Sequence, residues 1–283
     1  MNKNHLFLKI LAATIGSFVL SFVFAAVGGV HKDYPTSIGE KYSEKIENAQ
    51  QVNLEKEIEI QSIKEVRIKS AWIDWEVNPA AANAPSGKAQ LQISGRFDLK
   101  GASPESLVTT RIEGDVLYIE TNEHETSRKS FSWKIQDSDS KARLQLPTGL
   151  SRVRIQNVSG DIDVGTFALE ELSLTTVSGD LEIEVTSVRK LGITTISGDI
   201  EIEGSIDDIQ LESISGDLDW KASNAKVSGR IETTSGDVKM KFSQMPNTAF
   251  NFSSVSGKMK GGSASGDGHL TVETISGDLT VTR

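Results

Sequence analysis

In residues 171–185, ELSLTTVSGDLEIEV, the apolar positions change phase partway along. Leu172 and Leu174 share one parity, whereas Val177, Leu181, Ile183 and Val185 share the other. A strand keeps one parity on one face, so the phase shifts once, near Thr175–Val177, at a bend or bulge. Each unit then reads as two short strands joined at a corner. The pattern returns with Ile196, Ile200 and Ile202, with Ile214, Leu218 and Trp220, and with Ile275, Leu279 and Val281. One unit departs from it, carrying Thr234 before Val238, Met240 and Phe242.

A tripeptide marks every corner. It is Ser159-Gly160-Asp161, Ser178-Gly179-Asp180, Ser197-Gly198-Asp199, Ser215-Gly216-Asp217, Ser235-Gly236-Asp237 and Ser276-Gly277-Asp278, with a Ser-Gly-Lys variant at Ser256. The gaps between successive serines are 19, 19, 18, 20, 21 and 20 residues. A period near 20 is one coil of a solenoid whose equivalent strands stack in parallel. No coil buries its apolar face alone. Stacking makes a core from columns such as Leu181, Ile200, Leu218, Val238 and Leu279. The predicted fold is therefore all-β, a parallel β-solenoid of about 20-residue coils over residues 151–283, with about six or seven coils. The glycine is either inward-facing, where no side chain fits, or at an unusual backbone angle. The out-of-register SGDG at 265–268 reads as a flexible loop.

Residues 55–150 form a strand-rich N-terminal part of the β domain. Period-two candidates are EIEI (57–60), VRIK (66–69), AWIDWEV (71–77), AQLQISG (89–95), VTTRIEGD (108–115), VLYIE (116–120), SFSWKI (130–135) and ARLQL before Pro147. Trp72 and Trp75 have opposite parity, so one belongs to the core and the other to the surface, a bend or a contact. Residues 31–54 are polar and read as a linker. Before them runs an uncharged apolar stretch of 21 residues, Ile10–Val30, preceded by Lys3 and Lys9. That length spans a bilayer, and the basic flank leaves the N-terminus in the cytoplasm. Residues 1–30 are thus either a signal peptide, cleaved near Ala25, Ala26, Gly28 and Gly29, or a retained membrane anchor. Either fate places Asp33 onward outside the cytoplasm, secreted, periplasmic or anchored at the cell surface.

Charge and residue types narrow the chemistry. The formal net charge of −9 argues against a nucleic-acid partner. The absence of cysteine removes disulfides, thiolate catalysis and zinc–thiolate sites. The histidines, His5, His31, His124 and His269, lie at no metal-ligand spacing with one another or with a recurrent acid. No nucleophile elbow, Walker loop or dinucleotide motif occurs. Carboxylates abound, but a catalytic pair is a local exception to a repeat and none stands out. No catalytic, metal or cofactor residue is assigned. The Ser-Gly-Asp turns read as structural, their Asp side chains capping their own backbone amides. Calcium is the minority alternative, because a file of Asp161, Asp180, Asp199, Asp217 and Asp237 at ~4.8 Å spacing repels itself and needs relief. Outward positions change sign along the repeat, from Asp163, Glu182, Glu184, Glu201 and Glu203 to Lys239, Lys241, Lys258 and Lys260. In a solenoid this is an axial charge gradient on a solvated face.

The recurring (T/S)-(V/I)-S-G-D-(L/I)-x-(I/V) units, entered through LPTGLSRVRIQNVSGDI, resemble the bacterial "putative adhesin" domain family of unknown function. The resemblance spans about residues 55–283. It implies an exported or membrane-anchored β-solenoid with a surface role, and it brings no catalytic residues to transfer. The expectation is a non-enzymatic envelope protein, adhesin-like or scaffolding, that presents a rigid face to a protein or glycan of the cell surface or envelope. Its alternatives are a membrane-tethered sensory or regulatory domain and a β-helical carbohydrate-active enzyme.

Overall fold

A computed structural model of the protein describes residues 49–81, 87–97, 99, 101–122, 140–263 and 265–283. The apolar run at 10–30, the strand expected at 130–135 and His5, His31 and His124 lie outside the described residues. Among the described residues no helix is long and apolar enough to cross a membrane. The described residues are all-β, with one short 3-10 turn among them at Pro104–Leu107.

Two ladders of strands share one hydrophobic core. The first leads into the Ser-Gly-Asp corners. It contains β2 (Glu65–Lys69), β8 (Arg152–Gln156) and the C-terminal halves of β9 (Ile162–Thr175), β10 (Leu181–Thr194) and β11 (Ile200–Ser215). It continues through β13 (Ser228–Ser235). The second ladder leaves the corners. It contains β3 (Asp74–Pro79), the N-terminal halves of β9 to β11, β12 (Leu218–Ala222) and β14 (Val238–Phe242). All these pairings are parallel. Leu181 opposes Ile200, then Leu218, then Val238, then Leu279, so the apolar column read from the sequence is a physical one. Its members are at most 3% exposed. Burying each such side chain contributes roughly 1.5–3 kcal/mol.

The phase shift lies later than Thr175–Val177. Leu172, Leu174 and Thr176 all point inward, and the inward set resumes at Leu181. The parity is reset inside the Ser-Gly-Asp corner itself, which turns Val177, Ile196 and Ile214 half-exposed. A buried hydroxyl fixes the middle corners, and the Asn157 side chain, donating to the Gly160 carbonyl at 3.2 Å, takes its place at the first. Thr176, Thr195 and Ser213 donate to the carbonyls of Ser178, Ser197 and Ser215 at 3.0, 3.0 and 3.1 Å. The opposite corner has no such turn, and β9 to β11 run through it unbroken. The register slips there between Val185 and Ser187, where β11 is one residue shorter. That missing residue accounts for the 18-residue gap in the repeat.

The N-terminal part belongs to the same ladders. β6 (Val116–Thr121) extends the first in parallel beside β2, and β5 (Val108–Glu113) folds back on it antiparallel. The second is extended by β7 (Lys141–Leu146) in parallel, then β4 (Lys88–Phe97) and β1 (Gln50–Glu59) antiparallel. β1 begins at Gln50, inside the stretch read as linker. Trp75 is 1% exposed in the core, whereas Trp72 is half-exposed.

At the other end the chain leaves sequence order. β15 (Thr248–Ser256) and β16 (Met259–Lys260) form the outermost coil, and the later strands β17 (Gly268–Ser276) and β18 (Leu279–Thr282) insert beneath it. The segment expected to be a flexible loop makes this return. Ser263 bridges Ala249, and the Asn247 side chain donates to Asp267 at 2.9 Å.

Candidate functional site: an acidic groove along an aspartate ladder

Each corner aspartate is tied to the next coil, not to its own turn. The carboxylate of Asp161 accepts the Asp180 N–H at 2.9 Å, Asp180 that of Asp199 at 2.8 Å, and Asp199 that of Asp217 at 2.9 Å. Asp217 accepts from Asp237 at 2.8 Å, Asp237 from Asp278 at 2.9 Å, and Asp278 from Lys258 at 2.8 Å. The expectation that these side chains cap their own amides is corrected. In a stacked repeat the nearest unpaired amide belongs to the neighbouring coil, ~4.8 Å away. The ladder also starts earlier than the motif does. Asp74 accepts the Asp161 N–H at 3.0 Å. Sequence reading missed Asp74 because Ile73 stands where the other corners have glycine, and only the alternation of Trp75 and Val77 marks the coil. Lys258 ends the ladder, since the coil that carries it is outermost and has no next amide to receive.

The corner serines join through their backbones. The N–H groups of Ser178, Ser197 and Ser215 donate to the carbonyls of Val158, Val177 and Ile196 at 2.9–3.1 Å. The six Ser-Gly-Asp glycines, Gly160, Gly179, Gly198, Gly216, Gly236 and Gly277, have positive φ, and a Cβ on them, or on Gly257 of the Ser-Gly-Lys corner, would meet the backbone of the neighbouring coil. Both readings of the glycine, close approach and unusual angle, are met at once.

An open groove of about 510 Å³ runs beside the ladder. Asp161, Asp163, Asp180, Glu182, Asp199, Glu201, Asp217 and Asp219 line it, with Lys239 at one end. The register aligns Glu182, Glu201, Asp219 and Lys239 in one column, and Glu184, Glu203, Lys221 and Lys241 in the next. The axial change of sign is therefore real in space. Ion pairs stitch the crossover, with Lys221 at 2.7 Å from Glu201 and 3.5 Å from Glu203. At the acidic end Arg143 pairs with Glu76 at 2.7 Å and Lys141 lies near Asp163, yet burial and repulsion outweigh them. Burial, then the charges of Glu182, Glu76 and Glu184, push the Asp163 carboxyl above its usual range. Burial and neighbouring Asp161 do the same to Asp74, against the pull of the amide bond it accepts.

A second polar cluster lies on the first ladder, and sequence reading did not single it out. Glu65 has a side chain only 3% exposed, with Arg152 at 2.8 Å and Arg154 at 3.3 Å. Burial pushes its carboxyl up, but hydrogen bonds from Arg67 and Arg152, with the charges of Arg67 and Arg154, outweigh this and hold it low. Arg111 and Arg67 stack over Tyr118, 4.3 and 5.5 Å from the ring centre. Here the charges are compensated, which suits a structural clamp. Among the described residues no group of three or more His, Asp and Glu is arranged to hold a metal ion.

No curated protein matches the chain. Solved structures resemble it at low identity. A "putative adhesin" from Bacteroides fragilis NCTC 9343 is 14% identical, with 86% of this chain and all of that one covered, at a TM-score of 0.46. A "putative lipid binding protein" from Parabacteroides distasonis ATCC 8503 is 16% identical, covering 82% and 97%, at 0.45. A "putative adhesin" from Parabacteroides merdae ATCC 43184 is 13% identical, covering 82% and 96%, at 0.29. The family match is of a different order, because it takes in residues 113–282 and with them every Ser-Gly-Asp corner and the whole acidic groove. By that match, which covers more than half of its length, the chain belongs to the Toastrack DUF4097 family.

Proposed function

We propose that this is a non-enzymatic, exported envelope protein of adhesin-like or scaffolding type, whose acidic groove binds a cationic segment of an envelope component. One observation carries the reading: eight carboxylates line a single groove on a rigid ladder, and the one cation lining it, Lys239, stands at one end. Such a surface concentrates cations and steers them by long-range attraction. It also lacks the asymmetry that catalysis needs, because its carboxylates repeat from coil to coil. The apolar run at residues 10–30 supplies either export or anchorage, and N-terminal sequencing of the exported protein tells the two apart. A retained anchor favours the tethered, sensory form of the same binding role.

The test is binding of an oligolysine peptide to the protein, measured by fluorescence anisotropy at low and physiological salt. Binding should weaken steeply with salt and fall when Glu182→Gln and Glu201→Gln are combined. These side chains point outward and carry none of the ladder bonds, so the fold is left intact. Absence of binding, or binding indifferent to both changes, sinks the proposal, and glycan profiling of residues 31–283 then becomes the next measurement.

A further inference from the structure

Among the described residues the two ends of the stack are edges, and they differ in chemistry. At one end β15 pairs with β17, apart from the bridge at Ala249, and β16 pairs with β18. Among the described residues the outer edge from Asn251 to Ser256 has no other partner. Its sequence, NFSSVS, contains neither charge nor proline, the usual devices that blunt an edge. Val255 on it is 47% exposed. Lys258 and Lys260 follow directly. At the opposite end β5 pairs with β6 and β1 with β4. β5 carries Ile112, also 47% exposed. β1 turns Glu55, Glu57 and Glu59 to solvent, and Lys88 beside it reaches only the last two. Ile112, Val255 and Met245 are the exposed large apolar side chains among the described residues. Two of them therefore sit on the terminal strands of one ladder, at opposite ends.

We propose that these ends fit each other, and that each receives a second copy of this chain stacked head to tail. The strand directions agree. β5 is antiparallel to β6 and so to the whole first ladder, which makes it antiparallel to β15 of a translated copy. β1 is antiparallel to β4, which is antiparallel to β7, so β1 runs with β16. The open edge Asn251–Ser256 and the strand Val108–Glu113 are each six residues long. Paired in full, they oppose Phe252 to Ile112, both on the core-facing side of their strands. On the other ladder Lys258 and Lys260 approach Glu55, Glu57 and Glu59. A twofold contact of like ends sets those lysines against their own copies, which charge disfavours. A head-to-tail contact does not close on itself, so copies add in a row.

Light scattering of the full chain in mild detergent, over a concentration series at low and high salt, tests this. The mass should climb with concentration past the dimer, and more so at low salt. Ile112→Lys should weaken association by about tenfold or more, since an unpaired ammonium would be buried against Phe252 at the contact, and Val255→Lys should weaken it too, since that side chain lies on the outward face beside Arg111 of the next copy. Both sites are half-exposed, so each variant should melt with the parent. Ser253→Lys and Thr109→Lys, on exposed positions of the same strands, replace any variant that does not. Mixing the two blocked variants is the decisive arm. Each keeps one working end, so the mixture should stop at a one-to-one dimer. A parent that stays monomeric overturns the proposal. So does a block by Val255→Lys alone, which means a twofold contact, and so does association that survives both substitutions, which assigns it to another part of the chain.

Discussion

At Gly198 φ is +120°, and a Cβ there would fall on the carbonyl oxygen of Gly179. Both facts exclude a branched side chain. Gly198→Val should cost about 3 kcal/mol or more, from backbone strain plus separation of two coils. Glu201→Val is the control. Glu201 is exposed, and its pair with Lys221 is screened by solvent, so losing it changes stability little. Thermal melts of the two variants check the contrast, and equal midpoints would refute it. Asp180 is the second case. Its carboxylate accepts the Asp199 amide, and Asn keeps that acceptor while removing a charge from the file. Asp180→Asn should leave the melting temperature unchanged or raise it, whereas Asp180→Ala should lower it, through a loss of about 1 kcal/mol of stability. Calcium should shift neither protein, although a site saturated at a hundred times its dissociation constant would add about 2.7 kcal/mol. The motif itself was plain in the sequence. The direction of its hydrogen bond was not, because a tripeptide cannot say whether its nearest amide is its own or a neighbour's.

Elements were legible where two periods coincide. Alternation within a strand and recurrence every coil together define the column from Leu181 to Leu279, and that column stands in register. Where one period fails, the element hides, as at Ile73-Asp74, which lacks the corner signature. Burial at the strand level also sets the response to acid. Asp163 in β9 and Glu232 in β13 titrate above the ordinary carboxylate range, chiefly through burial. The native state therefore holds these protons more tightly than the unfolded chain does, and stability rises as pH falls through their folded pKa values. Glu65 in β2 works the other way. Its pKa is depressed, so its contribution is full above the ordinary carboxylate value and is lost as pH falls through the folded one. Mild acidification should thus stabilise the protein before stronger acid unfolds it. Asp163→Asn should flatten the early gain. Glu65→Gln should weaken the late loss while costing about 2 kcal/mol at neutral pH, because three arginines lose their shared anion. Denaturant melts at stepped pH values separate the two effects.

For the whole molecule the order of the coils matters more than their number. The coil of β15 and β16 comes before that of β17 and β18 in sequence but lies outside it in space. Nothing in the repeat announces this. Val238 faces Leu279, and Leu279 faces Met259, so either coil supplies an apolar residue at the same position. The arrangement has a mechanical consequence. In a solenoid, stability is a sum of coil terms and nearest-neighbour interfaces. The outermost coil's ladder partners both lie at the end of the chain, after the return through Ser263. Removing residues 267–283 therefore takes away one coil and orphans another, leaving Phe250, Phe252 and Met259 without the strands they pack on. Removing residues 244–283 takes away both coils and ends the stack on β13 and β14, whose ladder pairing to β11 and β12 is intact. The shorter deletion should be the more damaging one. The chain ending at Gly266 should be less stable, by about 2 kcal/mol or more, and bind a hydrophobic dye more strongly than the chain ending at Ser243. The reverse order would mean that β15 and β16 can slide down onto β13 and β14, and that the intercalated coil is replaceable.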